Sequence, residues 1–245
     1  MLDKPRDFEL KILFKINSID SKYAEIILRF LGYFGNIFFW FLAVGFFALL
    51  GAQTPNILIK FGQGIEPFKL SVLLGLGMLI DIIASNILQF LFRRKRPFQT
   101  LNVKDGQLKV RSWEITPSFP SAHVHRAFLG VTLLILGGFE WAFILYIFAC
   151  IAGISRIYLG AHYPLDVIFG AIFGTLIATF YFLITPPLIN WCGTTAALII
   201  TSLDLFIIIL GAALGLIIMF TGFYFWLHIR KKYKKEMLEK YELNN

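Results

Sequence analysis

Two stretches without a single Asp, Glu, Lys or Arg, Phe30 to Ile59 and Val167 to Leu203, dominate the pattern of this 245-residue chain. Each exceeds the roughly 20 residues a helix needs to cross the hydrocarbon core of a bilayer. Continuous apolar character interrupted by short polar segments predicts membrane-spanning helices over about 25–50, 68–92, 123–138, 140–158, 163–185 and 202–227. These spans leave 186–201 unassigned. Ahead of them, Phe8, Ile12, Ile16 and Ile19 recur at three- to four-residue spacing among Lys11, Lys15 and Asp20. That period predicts an amphipathic helix at the membrane interface, or a polar lead-in to the first span. A charged tail follows from about His228. The fold expected is an all-α polytopic membrane helix bundle of about six transmembrane helices, one domain over 1–245 with its core at 25–227.

Composition strengthens this picture. Hydrophobic residues make up 58% of the chain and charged residues only 16%, too little polar surface for a soluble domain of this length. Met1 to Lys22 mixes charges of both signs without an apolar centre, unlike a cleavable signal peptide. The net charge of +8 suits anionic headgroups or a phosphate ligand, and a chain this apolar makes nucleic acid a poor partner. Cys150 and Cys192 lack metal-ligand spacing. Trp40, Trp141, Trp191 and Trp226 are candidates for interfacial aromatic belts.

Candidate chemistry gathers in three polar clusters at the ends of apolar helices. Arg96-Pro97 closes a basic run after the second span. Ser118-Phe119-Pro120-Ser121-Ala122-His123 leads into the third span. Ser155-Arg156, His162 and Asp166 lie between the fourth span and the fifth. Counting crossings puts all three on one face of the membrane, where ionisable groups are costly and usually functional. His162 and Asp166 are four apart, the spacing that places two side chains on one helical face, and Pro164 suits a first helical turn. A carboxylate there can hold one ring nitrogen and leave the other free as nucleophile or base. Arg96 and Arg156 offer forked donors that match phosphate oxygens. His123 opens a helix whose free N–H groups favour an anion. This is the inventory of a phosphoryl-transfer site. No His-Glu-x-x-His and no carboxylate cluster is present, so neither a metal nor another cofactor is expected.

Arg96-Pro97, Pro120-Ser121-Ala122-His123 and Ser155-Arg156-x5-His162-x3-Asp166 resemble the three signatures of the type 2 phosphatidic acid phosphatase superfamily, which includes lipid phosphate phosphatases and vanadium haloperoxidases. The third signature matches throughout. The second has Ala122 where Gly is usual. The first departs further, with Gln89 where the family places a Lys seven residues before the Arg. The resemblance implies that His162 attacks phosphorus to give a phosphohistidine while Asp166 orients its ring. His123 would protonate the leaving group and then activate water. Arg96, Arg156 and Ser121, with the Ala122 backbone N–H, would stabilise the equatorial oxygens. Gln89 would donate a neutral hydrogen bond, and Lys95, Arg94 or Arg93 would supply the missing charge.

Plainer readings stand beside these. Ser121 also reads as a plain helix cap, and His125 and Arg126 read as a wet helix face. Asp81 and Asp204, inside apolar runs, suggest structural pairing or a place near the surface. Gly170-x-x-x-Gly174 and Gly211-x-x-x-Gly215 allow close packing within the bundle or a homo-oligomer seam. The resemblance implies an extracytoplasmic site. The basic loop and tail, against little beyond Lys60 and Lys69 opposite, argue for a cytoplasmic one, as in a multi-pass plasma or inner membrane protein. The functions to weigh are hydrolysis of a lipid phosphomonoester or diphosphate (phosphatidic acid, phosphatidylglycerol phosphate, polyprenyl diphosphate or lipid A type), phosphotransfer to another acceptor, and an inactive membrane scaffold or transporter.

Overall fold

The computed structural model describes residues 5–53, 66–101, 103, 107–202 and 205–240; Lys60, Lys104, Asp105 and Asp204 lie outside the described residues. Within these the chain is helical and has no strand. Helix α1 (Asp7–Asn17) precedes α2 (Lys22–Gly32), a 3₁₀ turn (Tyr33–Gly35) and α3 (Ile37–Gln53). Then come α4 (Pro67–Phe92), the short α5 (Pro97–Thr100) and α6 (Ala122–Leu136). A second 3₁₀ turn (Glu140–Ile144) leads into α7 (Leu145–Tyr158), followed by α8 (Pro164–Ile184), α9 (Pro186–Ser202) and α10 (Leu205–Lys240).

Among the described residues, Pro67–Thr100, Glu140–Tyr158 and Pro164–Ile184 are long and apolar enough to cross a membrane, and Lys22–Gly35 with Ile37–Gly51 makes a fourth span if that bent pair is one. The expected count of six is therefore more than these helices establish; α6 is apolar but has only 15 residues. The pattern over 25–50 predicts one straight helix, whereas the structure breaks it by 56°. Asn36 accepts the Phe38 N–H at 3.0 Å and starts a new helix there. Gly35 packs against α6 so closely that a Cβ would lie 2.6 Å from the His123 carbonyl oxygen. The pattern also misses α9, which opens with Pro186 at its first position, where the missing N–H is harmless.

Helix α8 shows how the bundle divides its surface. Ile168, Ile172, Leu176 and Phe180, four apart, are exposed along one stripe, while Gly170, Gly174 and Ala178 are buried on the opposite one. The outer stripe is the face lipid would cover. The inner one admits α6, since a Cβ on Gly174 would meet the His125 carbonyl oxygen at 2.2 Å. The Gly170/Gly174 face is thus used inside the chain and cannot also form an oligomer seam; Gly215 has open space around it. Trp40 is buried in the bundle core with Leu73, Met78, Leu129 and Tyr181, whereas Trp141 and Trp191 are exposed. The Trp226 side chain lies outside what the structure describes.

A second apolar cluster (Leu13, Phe98, Trp113, Ile157 and Tyr163) caps the end of the bundle where the three polar clusters meet. Helix α1 belongs to this cap and does more than lie on the interface. Its Leu13 is fully buried, and Asn17 ties the loop at Lys109 to the end of α7. The Asn17 amide donates to Lys109 O at 2.8 Å and Tyr158 O at 2.9 Å, and its oxygen accepts from Lys109 N at 2.8 Å. The expected charged tail is instead helical to Lys240, and Tyr233, Met237 and Leu238 pack on the same cluster.

Candidate active site

Local backbone geometry aims each polar cluster at one point. Helix α4 ends at Arg93, whose left-handed φ of 45° reverses the chain so that Arg94 and Arg96 turn back inward. Pro97 then starts α5. Helix α7 ends after Tyr158, and Gly160 takes a positive φ of 68° that an L side chain rarely adopts. The turn presents His162, and Pro164 begins α8. Asp166, in the first turn of α8, curls back to accept the Tyr163 N–H at 2.8 Å.

His162 is 1% exposed and held on both ring nitrogens. Its Nδ1 lies 2.7 Å from the Ser118 carbonyl oxygen. A carbonyl only accepts, so the proton sits on Nδ1 and the lone pair on Nε2. Nε2 faces Arg96 Nη1 at 3.2 Å. Burial, with the Arg96 charge next, pushes the His162 pKa below its usual value and favours the neutral ring.

The expected direct bond from Asp166 to this ring is not made. Asp166 Oδ2 is 3.7 Å from His162 Nδ1, beyond hydrogen-bond reach. The carboxylate instead accepts the Ser118 Oγ–H at 2.5 Å, and so holds the residue whose carbonyl holds the ring. Its other oxygen takes Arg94 Nη1 at 2.6 Å, and Arg94 Nη2 bonds Glu9 on α1 at 2.9 and 3.0 Å. Glu9, Arg94 and Asp166 are each no more than 1% exposed. Spacing within the sequence cannot show such a chain, because Glu9 and Asp166 meet only through a third residue.

Arg96 is buried without a carboxylate at hydrogen-bond distance. Its guanidinium donates to the backbone oxygens of Thr116 (2.6 Å), Ala161 (2.9 Å) and Pro117 (3.3 Å) and to Thr116 Oγ1 (3.2 Å). These fix its position without a direct ion pair, although Glu114 and Asp166 are near enough to favour its charge. Arg156 Nε and Ser121 Oγ are buried with no hydrogen-bond partner. Gly32 makes room for Arg156, since a Cβ there would lie 2.8 Å from its Nη2. A cavity of about 280 Å³ is lined by Gln89, Arg96, Glu114, Ala122, His123 and His162, among others.

Other expected residues fall differently. Gln89 Nε2 donates to the Pro120 carbonyl oxygen at 3.1 Å and braces the loop that carries Ser118 and Ser121. Lys95 is exposed and lines no part of the cavity, so its expected role in binding phosphate has no support in the fold. Arg93 is exposed over the Phe90 ring, at 4.1 Å. His125 and Arg126 are no wet face: His125 is fully buried and Arg126 lines the cavity. Asp81 pairs with both, from Oδ1 to His125 Nδ1 at 2.6 Å and from Oδ2 to Arg126 Nε at 2.8 Å.

Sequence reasoning misses Glu114, whose signal is faint: it is one of two acidic residues, with Asp105, in a basic loop. It lines the cavity 3.8 Å from Arg156 Nη1 and 4.0 Å from Arg230 Nη2. Burial alone would raise its pKa, but His123, Arg96, Arg156 and Arg230 overrule that and hold it at about 2. Arg230 comes from the helical tail and also donates to Ser112 Oγ at 2.8 Å. Among the described residues no group of three or more His, Cys, Asp or Glu is placed to hold a metal ion.

Comparison with known proteins agrees with this geometry. The chain is 37% identical over 114 residues to the bacitracin transport permease protein BcrC of Bacillus licheniformis, covering 46% of this chain and 54% of that protein. It is 31% identical over 111 residues to an undecaprenyl-diphosphatase of Sulfolobus acidocaldarius, covering 45% and 52%. The chain thus spans about half the length of the curated relatives it matches. In fold it is similar to the crystal structure of Aquifex aeolicus LpxE (TM-score 0.56, 23% identity, covering 74% of this chain and 98% of that one). It is also similar to a transmembrane PAP2-type phosphatidylglycerolphosphate phosphatase from Bacillus subtilis (TM-score 0.53, 18% identity, covering 71% and 82%). Residues 70–189, which hold all three polar clusters, match the PAP2 superfamily, and it is to that superfamily that this region of the chain belongs.

Proposed function

We propose that the protein is a membrane-embedded lipid phosphate phosphatase that works through a phosphohistidine on His162. One observation carries this reading: a neutral imidazole with its lone pair on Nε2 lies beside a buried Arg96 that has no direct ion pair, while Ser121 Oγ and Arg156 Nε lack partners. Buried polar groups without partners are rare, and the acceptor oxygens of a phosphate are of the kind such donors would bind.

In the first step Nε2 forms a bond to phosphorus as the bond to the leaving oxygen breaks, and His123 gives that oxygen a proton. Water, deprotonated by His123, then attacks phosphorus and returns the electron pair to Nε2, releasing inorganic phosphate. Arg96, Arg156, Ser121 and the Ala122 N–H take the charge on the equatorial oxygens. Asp166 acts on the ring through Ser118 and needs no proton of its own. The residues that do this work are nitrogen and hydroxyl donors, which suits a reaction without a metal.

A lipid substrate is supported by the cavity lining, which includes Ile37 and Phe38 at the start of α3 and Ser85 and Asn86 on α4, so that acyl or prenyl chains can remain between helices. Diphosphates are favoured by the name of the archaeal relative and monophosphates by that of the Bacillus fold neighbour. Transport has less support, since the ionisable groups of the three polar clusters gather at one end of the bundle and the deeper Asp81 is paired with His125 and Arg126. Phosphate release from a panel of lipid monophosphates and diphosphates by purified protein and its His162→Ala variant tests the reading. Wild type is expected to release phosphate and the variant to lose about 10⁴-fold or more, as for loss of a covalent nucleophile. A variant as active as wild type would end it.

A further inference from the structure

Gln89 is neutral and occupied with the Pro120 carbonyl, so it supplies no positive charge where the resemblance calls for a lysine. The neighbouring cations do not replace it. Arg94 is clamped between Glu9 and Asp166, and Arg93 and Lys95 are exposed. Arg126 is placed differently. It follows His123 by three residues, on the same face of α6, and lines the cavity that holds Gln89, Arg96 and His162.

The guanidinium of Arg126 is aimed as well as near. Nε donates to Asp81 Oδ2 at 2.8 Å and Nη1 to the Gly35 carbonyl oxygen at 3.2 Å, while Nη2 has no protein partner among the described residues. Asp81 is fully buried midway along α4 and is bonded by its other oxygen to His125, which is also fully buried. A carboxylate at that depth is costly unless paired, and one held on both oxygens is a rigid anchor. Neither Asp81 nor His125 lines the cavity, so they set Arg126 from behind. Helix α6 enters at the site end and runs into the bundle, which puts Arg126 about one helical turn, roughly 5 Å, further in than His123. Phe38 of α3 and Asn86 of α4 line the same cavity, and a lipid chain would run between those helices.

We propose that Arg126, braced by Asp81 and His125, binds the phosphate next to the lipid chain of a diphosphate headgroup and selects diphosphates over monophosphates. This rests on the phosphatase reading above. In a diphosphate, His162 Nε2 bonds to the terminal phosphorus and the bond from that phosphorus to the bridging oxygen breaks. The electron pair stays on the bridging oxygen, which becomes a terminal oxygen of the departing lipid monophosphate. Arg126 is the cation placed to meet the charge gathering there, with the proton from His123. Water then releases inorganic phosphate from His162. In a monophosphate ester the same position holds only the carbon chain, and the guanidinium has nothing to bind.

The test compares kcat/KM for farnesyl diphosphate and farnesyl monophosphate, which share one chain, by phosphate release from detergent-purified protein. Wild type is expected to favour the diphosphate. Arg126→Ala is expected to lower the diphosphate-to-monophosphate ratio about 10- to 100-fold, the weight of a charge-assisted hydrogen bond. Arg126→Lys still neutralises Asp81, so it keeps the fold if the alanine variant does not. Its single ammonium cannot serve Asp81 and a phosphate together, and the ratio is expected to fall about 10-fold. A ratio unchanged in the lysine variant, or both substrates declining in parallel, overturns the assignment and leaves Arg126 a structural residue. Wild type that hydrolyses only the monophosphate overturns it too, while sparing the phosphatase reading. Wild type and His162→Ala alike inert on both substrates would remove that reading and this inference with it.

Discussion

Replacing Arg94 with methionine, which has similar length and no charge, strands two buried carboxylates at once. In the native site Arg94 gives Nη1 to Asp166 at 2.6 Å and Nη2 to both oxygens of Glu9, and its guanidinium lies 4.4 Å over the Tyr163 ring. Removing one partner of a buried ion pair typically costs about 3–5 kcal/mol, because the charge left behind has neither water nor a counterion. For a chain of this length each kcal/mol moves the melting temperature by roughly 2–4 °C, so Arg94→Met should lower it by about 6 to 20 °C. Glu9→Gln is the control. It removes one carboxylate, leaves Arg94 paired with Asp166, and should cost only about 1–2 kcal/mol. Thermal unfolding in detergent, followed by loss of native tryptophan fluorescence, reads both. Activity should follow stability in order, since a displaced Asp166 loosens Ser118 and with it the His162 ring. If Arg94→Met melts with wild type, or if Glu9→Gln is the more damaging of the two, the argument that this arginine neutralises the Asp166 side of the site is wrong.

Further outcomes follow from the same geometry. Because burial and Arg96 lower the His162 pKa, the acid limb of kcat/KM should fall below pH 6.5: the ring must be neutral to attack, and a depressed pKa keeps it neutral into more acidic solution. Glu114, held at about 2, stays ionised throughout that range and raises the His162 pKa, so Glu114→Gln should move the acid limb to still lower pH; a move upward in the pH–rate profile would contradict this. Gly35→Ala should cost about 1–3 kcal/mol and reduce turnover, because its Cβ would press on the backbone at His123, which cannot swing aside; a melting curve and an initial rate equal to wild type would show that the bend between α2 and α3 is more tolerant than its packing indicates.

What the sequence by itself determined was the membrane class and which polar clusters meet at one end of the bundle. Long charge-free runs need lipid, and the order of apolar helices and polar ends forces Arg96, Ser121, His123, Arg156, His162 and Asp166 towards one end of the bundle. Both follow from local chemistry and from counting. Where the linear pattern fell short, partners come from distant segments. The break at Gly35 exists because α6 passes too close for a side chain. His125 and Arg126 look polar and solvated until Asp81, 44 and 45 residues earlier, is found against them. Asp166 is four residues from His162 yet reaches it only through Ser118, while Arg94 spends its charge on Glu9 and Asp166. A buried charge must find a partner wherever the fold offers one, and only the packed structure says which residue that is.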